Sequence, residues 1–550
     1  MANICQQCRM HIQPHQPIAR DEFRKTTTPE STLAEVLLVI GDEECTVERY
    51  DSEILRVKGI LEKLEEEKRA LEVQIQQRRS YVSSLRRVSQ ELWVEIFSIC
   101  LAEHPSTEIP YGADRELELN WRRRFEMPFR LSQVCSRWRD VATSTPSLWS
   151  TIFLNLHCGD RKRALELHFK RSRGVSLDVN LCALRAGTRR NAKVEEQRKS
   201  DAEQTFQVLI HHMARIRSLL MLKLGSEFQF AGVRPHTVTT EATFSCLESL
   251  CMGDSKYPVW FVEAVQNQAP RLTELILEDF EAGDAQFQMI AGNTSLKSLK
   301  LQGLTTCARL IELIPTLRHL ESLVTSHRIL SVDDPVHTTG RSDSLLHLTV
   351  PILSVYSPML RSLELPNLQT LTLGVSGEDI RVDDLADALA RFSSLESISL
   401  TRVSAAFVGS GRLANLLRGL PAVASFKMQL GLLQYGGRAN TASLTKTISS
   451  FYSDLADIPT ISPRLESLEL ILRGMDIAEE TLDELVRMLE TRAGTGDGDG
   501  LKNVYLEAEG CTARGKRKTE VIDRLRDVEA IGVKCVVKHY KNHKPVFFFP

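Results

Sequence analysis

The sequence predicts an α/β chain in three parts: a long N-terminal helix carrying heptads, a small all-α domain, and an extended region of short parallel strands joined by helices. Three observations predict it. Apolar residues alternate at spacings of three and four from Ile54 to Leu85. Two amphipathic segments follow between Val88 and Phe153. Beyond residue 160 the phrase Leu-x-x-Leu-x-Leu returns again and again.

Residues 1–45 are expected to form a disordered or loosely ordered leader. It is polar, with no apolar core of a secretory signal. Its longest apolar run, Val36 to Ile40, is far too short to cross a bilayer. It also holds Cys5-x-x-Cys8-x-x-His11-x-x-x-His15, four metal-ligand types close together. A zinc finger sets its second ligand pair a dozen or more residues from the first, and Pro14 stiffens this short span. The expectation is no metal and no cofactor, with zinc as the competing reading.

Residues 46–87 read as a coiled-coil helix. Ile54, Val57, Leu61, Leu64, Leu71, Ile75, Val82 and Leu85 form a seam, and Lys68 and Arg78 occupy its two remaining positions. Glu62, Lys63, Glu65, Glu66 and Glu67 fill the outer faces. A seam of about four to five heptads is long enough to be stable when paired. Two readings stand: self-association, or an intramolecular stalk whose seam lies on the next domain or the preceding segment. The charges at Lys68 and Arg78 disfavour a tight dimer.

The domain at 88–153 begins with Val88-Ser-Gln-Glu-Leu-Trp-Val-Glu-Ile-Phe-Ser-Ile-Cys-Leu101, where Leu92, Ile96 and Phe97 make an apolar stripe. In Phe129-Arg-Leu-Ser-Gln-Val-Cys-Ser-Arg-Trp-Arg-Asp-Val-Ala142 a second stripe runs through Leu131, Val134, Cys135 and Trp138. Two short helices with stripes this wide must bury part of them against the rest of the chain or a partner. Glu91-Leu92, Ile96-Phe97 and Val134-Cys135-Ser-Arg-Trp138 resemble the F-box signature, with Ser89 where that family has proline. An inserted loop is expected at 104–127, with Trp121-Arg-Arg-Arg124 inside it. That loop, Ser144-Thr-Pro-Ser-Leu-Trp149 and Arg171-Ser-Arg-Gly-Val-Ser-Leu-Asp-Val-Asn180 resemble the F-box proteins of mushroom-forming fungi. The resemblance implies a surface for a Skp-type adaptor and, through it, a cullin. Leu92, Ile96, Phe97, Val134 and Trp138 are then adaptor-packing or domain-core residues, two roles the sequence does not separate.

Residues 160–550 are expected to form one repeat region. Its phrases begin at Leu247, Leu272, Leu296, Leu345, Leu368 and Leu395, with weaker copies at Val423, Leu465 and Leu501. The first steps are 25 and 24 residues (272−247, 296−272), and an imperfect copy at Leu317-x-x-Leu320 divides the longer gap before Leu345. A period in the twenties with this phrase is the leucine-rich-repeat pattern. Its alternating leucines enter a common core from short parallel strands, and helices such as Asp383–Ala390 and Ile477–Leu489 cover the other side. Phe280, Leu304 and Val403 stand where an asparagine ladder would run, so the solenoid is expected to be irregular.

Composition narrows the function classes. At 550 residues the chain is too long for a single core. A net charge of −2 gives no global field for nucleic acid or membrane. The 12 Cys lie mostly in apolar stretches, as around Cys100, Cys135, Cys246 and Cys535, which suggests reduced buried thiols and a cytoplasmic or nuclear location. No glycine-rich phosphate loop, nucleophile elbow or zincin helix is present. Gly494–Gly500 reads as a connector, Arg514–Lys518 as a solvated helix entry, and His211-His212 as structural. No enzyme is expected. The resemblance implies a substrate receptor of an SCF-type ubiquitin ligase, its solenoid holding an unknown target. The alternative is a solenoid scaffold with a degenerate F-box.

Overall fold

The computed structural model describes residues 3–4, 11–12, 30–82, 84–102, 114–156, 162–182, 192–222, 244–253, 259–281, 284–325, 329–330, 339–350, 358–375, 382–403, 407, 412–430, 441–458, 461–477, 479–493, 500–511, 526, 534–541 and 544–547. The chain divides into two units, Met1–Leu92 and Trp93–Pro550.

The first unit is dominated by one helix, α1 (Glu30–Val82). It starts well inside the span expected to be a leader. The reason is local: Pro29 stands just before Glu30, and no further proline follows until Pro105, so nothing stops the helix once it has begun. Gly41 and Gly59 are carried within it at about 1 kcal/mol each relative to alanine. The heptad segment is therefore continuous from Ile54 to Val82. Leu85, expected as its last seam residue, instead lies in a 3-10 turn at Ser84–Arg87. Near the N-terminus, Asn3–Ile4 pairs antiparallel with His11–Ile12. Cys5, Cys8 and His15 lie outside the described residues.

The helix α2 (Gln90–Ala102) crosses into the second unit, where α3 (Asp114–Val134) and α4 (Ser136–Ser144) follow. The inserted loop expected at 104–127 is helical from Asp114 onward. Arg115 to Met127 contains neither glycine nor proline, and Arg115-Glu-Leu-Glu-Leu119 are good helix formers. Pro128 sits inside α3 and removes one backbone donor there.

Next comes a 16-stranded sheet in which fifteen strands follow one another in chain order and a sixteenth, Ile329–Leu330, pairs off that path with Ser298–Thr306. It begins at β1 (Thr151–Asn155), inside the span read as the end of the all-α domain, because Thr151-Ile-Phe-Leu154 alternates half-buried and buried sides as a strand does. The succession is β2 (Leu177–Cys182), β3 (Ile216–Leu222), β4 (Ser249–Met252), β5 (Glu274–Glu281), β6 (Ser298–Thr306), β7 (Ser322–Thr325) and β8 (His347–Val350). It continues with β9 (Thr370–Gly374), β10 (Ser397–Val403), β11 (Ser425–Leu430), β12 (Ser467–Ile477), β13 (Asn503–Cys511), β14 (Lys534–Lys541) and β15 (Lys544–Phe547). Neighbours pair parallel, as with Leu275 beside Leu299 and Leu299 beside Leu323, except for the final antiparallel hairpin of β14 and β15.

The phrases account for this arrangement. The leading residue, the fourth and the sixth are buried in copy after copy: Leu272, Leu275 and Leu277; Leu296, Leu299 and Leu301; Leu368, Leu371 and Leu373. The backbone after each leading residue continues a ladder, with Glu321 N donating to Lys297 O at 2.8 Å, Leu346 N to Glu321 O at 2.9 Å and Gln369 N to Leu346 O at 2.9 Å. The imperfect copy begins three residues later than Leu317. The strand follows Leu320, so the phrase is Leu320-x-x-Leu323-x-Thr325, and the steps become 24 (320−296) and 25 (345−320). Thr325 stands in a leucine position because its Oγ1 donates to Thr349 O at 3.1 Å, which satisfies the buried hydroxyl. Register shifts fall between Glu278 and Phe280 and between Leu400 and Val403, where the asparagine ladder is missing. Helices such as Val382–Leu389 and Glu479–Ala493 follow strands, although Ile477 closes β12 instead of opening the second helix. No helix among the described residues is long and apolar enough to cross a membrane.

Candidate functional site

The segment from α2 to β1 is built on aromatic residues. On α2, Trp93 and Phe97 stand one turn apart and are the buried pair, Phe97 completely so. Trp138 on α4 packs against both, with ring centroids 4.9 Å from Trp93 and 5.0 Å from Phe97. Trp93 Nε1 is buried with no acceptor among the described residues.

Cys135 separates α3 from α4. Its extended backbone (φ −157°, ψ 170°) caps α4, and its Sγ accepts from Trp138 N at 3.5 Å. This replaces the expectation of one unbroken helix and of a buried thiol, since Cys135 is exposed. By contrast Cys251 is buried, and that burial pushes its thiol up to about 12.

A second cluster fastens α4 and α3 to the start of the sheet. Trp149 is fully buried and donates from Nε1 to Ala142 O at 2.6 Å. Phe129 meets it edge-on at 5.0 Å, and the Arg171 guanidinium lies 4.4 Å from its ring centroid. His168, on the helix Lys162–Ser172, stacks on Phe125 at 4.8 Å. Its Nδ1 faces Trp149 O at 3.2 Å and its Nε2 faces Phe125 O at 3.4 Å. A neutral imidazole donates through one nitrogen only. Burial holds this ring at a pKa of about 4, against an ordinary 6.5, despite the two carbonyls that favour its charged form. His212 packs against the Phe169 ring, tilted by 31° with centroids 3.9 Å apart.

The five residues singled out from sequence therefore separate. Phe97 belongs to the core and Trp138 is half-buried, whereas Leu92, Ile96 and Val134 are 58%, 41% and 61% exposed. Ile99, one turn beyond Ile96, is exposed as well. Trp93 lies beside Leu92 but outside the Leu92–Ile96 stripe, and its spacing of four from Phe97 is the sequence signal of its burial. Nothing in the sequence marked His168. Among the described residues no group of histidine, cysteine and carboxylate side chains could hold a metal ion.

The sequence pattern of a family described as F-box-like matches residues 128–155, from the proline in α3 to the end of β1. Those residues are an F-box-like domain. The F-box-like match covers α4 and the Trp149 cluster but not α2. No curated protein matches the chain. A solved structure of an uncharacterised Bacteroides fragilis protein aligns with 63% of this chain and 84% of its own length, at 13% identity and a TM-score of 0.29.

Proposed function

We propose that this chain is a substrate-recognition subunit of an SCF-type ubiquitin ligase, of the kind found in mushroom-forming fungi. Its F-box-like domain docks a Skp-type adaptor, and through it a cullin. The long parallel sheet is read as a leucine-rich-repeat-like solenoid that holds a target protein. Ubiquitin transfer belongs to other subunits, and the chain itself is assigned no catalysis, no cofactor and a cytoplasmic or nuclear location. The observation that carries the reading is that apolar side chains stand exposed along α2, at Leu92, Ile96 and Ile99, and on α3, at Val134 within the F-box-like match. Exposed leucines and isoleucines off a well-packed aromatic core mark a surface meant for another protein. On the sheet, the row Ser298, Ser322, His347, Thr370, Ser397 and Ser425 runs across six neighbouring strands and is polar throughout, a surface suited to a polar partner.

The test is association of the full chain with a purified Skp-type adaptor. Burying an apolar side chain contributes about 1.5–3 kcal/mol, so Ile96→Asp and Val134→Asp should each weaken binding roughly tenfold or more while leaving the circular dichroism unchanged. Phe97→Ala is the folding control. If the unmodified chain fails to bind at micromolar concentrations, the adaptor reading falls.

A scaffold without adaptor binding is the second reading, and two observations favour it. The family match leaves out α2, and Ser89 replaces the usual proline, its Oγ accepting from Leu92 N at 3.4 Å.

A further inference from the structure

The heptad register of α1 is longer than the span from Ile54. Counting back in steps of four and three gives Tyr50, Val47, Glu43, Ile40, Val36 and Leu33, so the seam runs the length of the helix from Leu33 to Val82. Apart from half-buried Tyr50, its apolar members are between 40% and 69% exposed. Gly41 and Gly59 both fall outside the seam. Three seam positions are charged: Glu43, Lys68 and Arg78.

These charges select the occupant of the seam. In a parallel pair in register each would face its own copy: glutamate on glutamate, lysine on lysine, arginine on arginine. A parallel stagger that brought Glu43 beside Lys68 would set the two heptad core positions against each other, which parallel coiled coils do not do. In an antiparallel pair opposite core positions do face each other. One register then matches throughout, with Glu43 against Lys68, Val36 against Ile75, Ile40 against Leu71, Val47 against Leu64, Tyr50 against Leu61 and Ile54 against Val57. Leu33 meets Arg78 at each end, where the arginine stem can cover the leucine while its guanidinium reaches water. Sliding by one heptad in either direction sets Glu43 or Lys68 against an apolar residue instead.

We propose that α1 is the dimerisation element of this protein, and that two copies pair antiparallel about a two-fold axis between Leu55 and Arg56, with Glu43 of each copy bound to Lys68 of the other. Within its own helix Lys68 has only a loose, exposed contact, 3.9 Å from Glu72. The flanks include like charges, since Glu44 comes near Glu72 and Asp51 near Glu65 of the second copy. Those carboxylates stay solvated and screened at the rim, whereas charges in the seam lose water, so the seam decides the orientation. By helix rise, the two C-terminal ends of α1 then stand roughly 80 Å apart.

A charge-reversal cycle on the full chain, followed by sedimentation equilibrium, tests this. The unmodified protein should be dimeric at micromolar concentration. Glu43→Lys and Lys68→Glu should each weaken the dimer about tenfold or more, because each creates two like-charged pairs in the seam. Combining them should restore the original affinity, with helix content by circular dichroism constant across all four proteins. A monomer at tens of micromolar would overturn the proposal and leave the seam to another part of the chain. A dimer indifferent to the single changes, or a double variant no tighter than the single ones, would overturn the antiparallel pairing.

Discussion

The helix α1 and the sheet region use the same side chains at regular spacing and put them in opposite places. Leu61 and Leu64 on α1 are 55% and 56% exposed, whereas Leu275, Leu299 and Leu371 in the strands have at most 1% of their surface exposed. The difference lies in what each period can close on. A residue in a parallel strand has the equivalent residue of the next repeat at its side, so every phrase supplies the partner for the one before. A seam on a single helix has no neighbour of its own and needs a second helix from elsewhere. Regular leucine spacing therefore predicts burial within the chain in one region and association in the other.

Replacing sheet leucines should separate the two regions most sharply. Leu299→Ala should cost about 2–5 kcal/mol, because its neighbours in adjacent strands hold the cavity open, and Phe97→Ala in the aromatic core about 3–5 kcal/mol. Chemical denaturation followed by tryptophan fluorescence reads both; a loss below about 1 kcal/mol for Leu299 would mean the strand core is not packed as described.

Acid should reach the same core through its one buried histidine in the Trp149 cluster. The pKa of His168 is about 4 in the folded protein against 6.5 for the free ring, so the unfolded chain takes up the proton first. Stability is complete above pH 6.5 and declines as pH falls from 6.5 towards 4, by up to about 3 kcal/mol. His168→Gln should flatten that decline, measured as the shift in melting temperature between pH 7 and pH 5.

Smaller effects are expected at the surface. Arg217 donates to both carboxylate oxygens of Asp178 in the neighbouring strand, at 2.8 Å to one of them, with the arginine half-exposed. Asp178→Asn should cost no more than about 1 kcal/mol and less in high salt. Smallest of all, Leu61→Ala on α1 should leave the denaturation of the sheet region unchanged within about 0.5 kcal/mol, the reverse of the same substitution at Leu299.

Much of the fold was legible because the strand phrase repeats with its spacing intact. The first three strands were missed for a physical reason: burial asks for an apolar side chain of fitting size, not for leucine. Ile216-x-x-Leu219-x-Met221 is the same phrase in other residues, and all three are buried. Thr325 shows the same point in a polar side chain, admitted because its hydroxyl is bonded. At the F-box-like domain, the position of the helices was readable but the rotation of α2 was not. Leu92, Ile96 and Phe97 looked like one stripe, and the second aromatic residue at Trp93 turned Phe97 inward and left the other two outside. Boundaries failed where they depend on one or two residues, as at Cys135, which interrupts a helix by capping the next one.

The sequential strand order has a mechanical consequence. Along the main path each strand is hydrogen-bonded to its neighbours in the order, with the short strand Ile329–Leu330 added on Ser298–Thr306, and the last two strands close as a hairpin. A pull on the C-terminal end would therefore load β15 and β14 first and leave the strands behind them paired. Extension should proceed as a series of small steps, each releasing one strand with its connecting segment, instead of one global rupture.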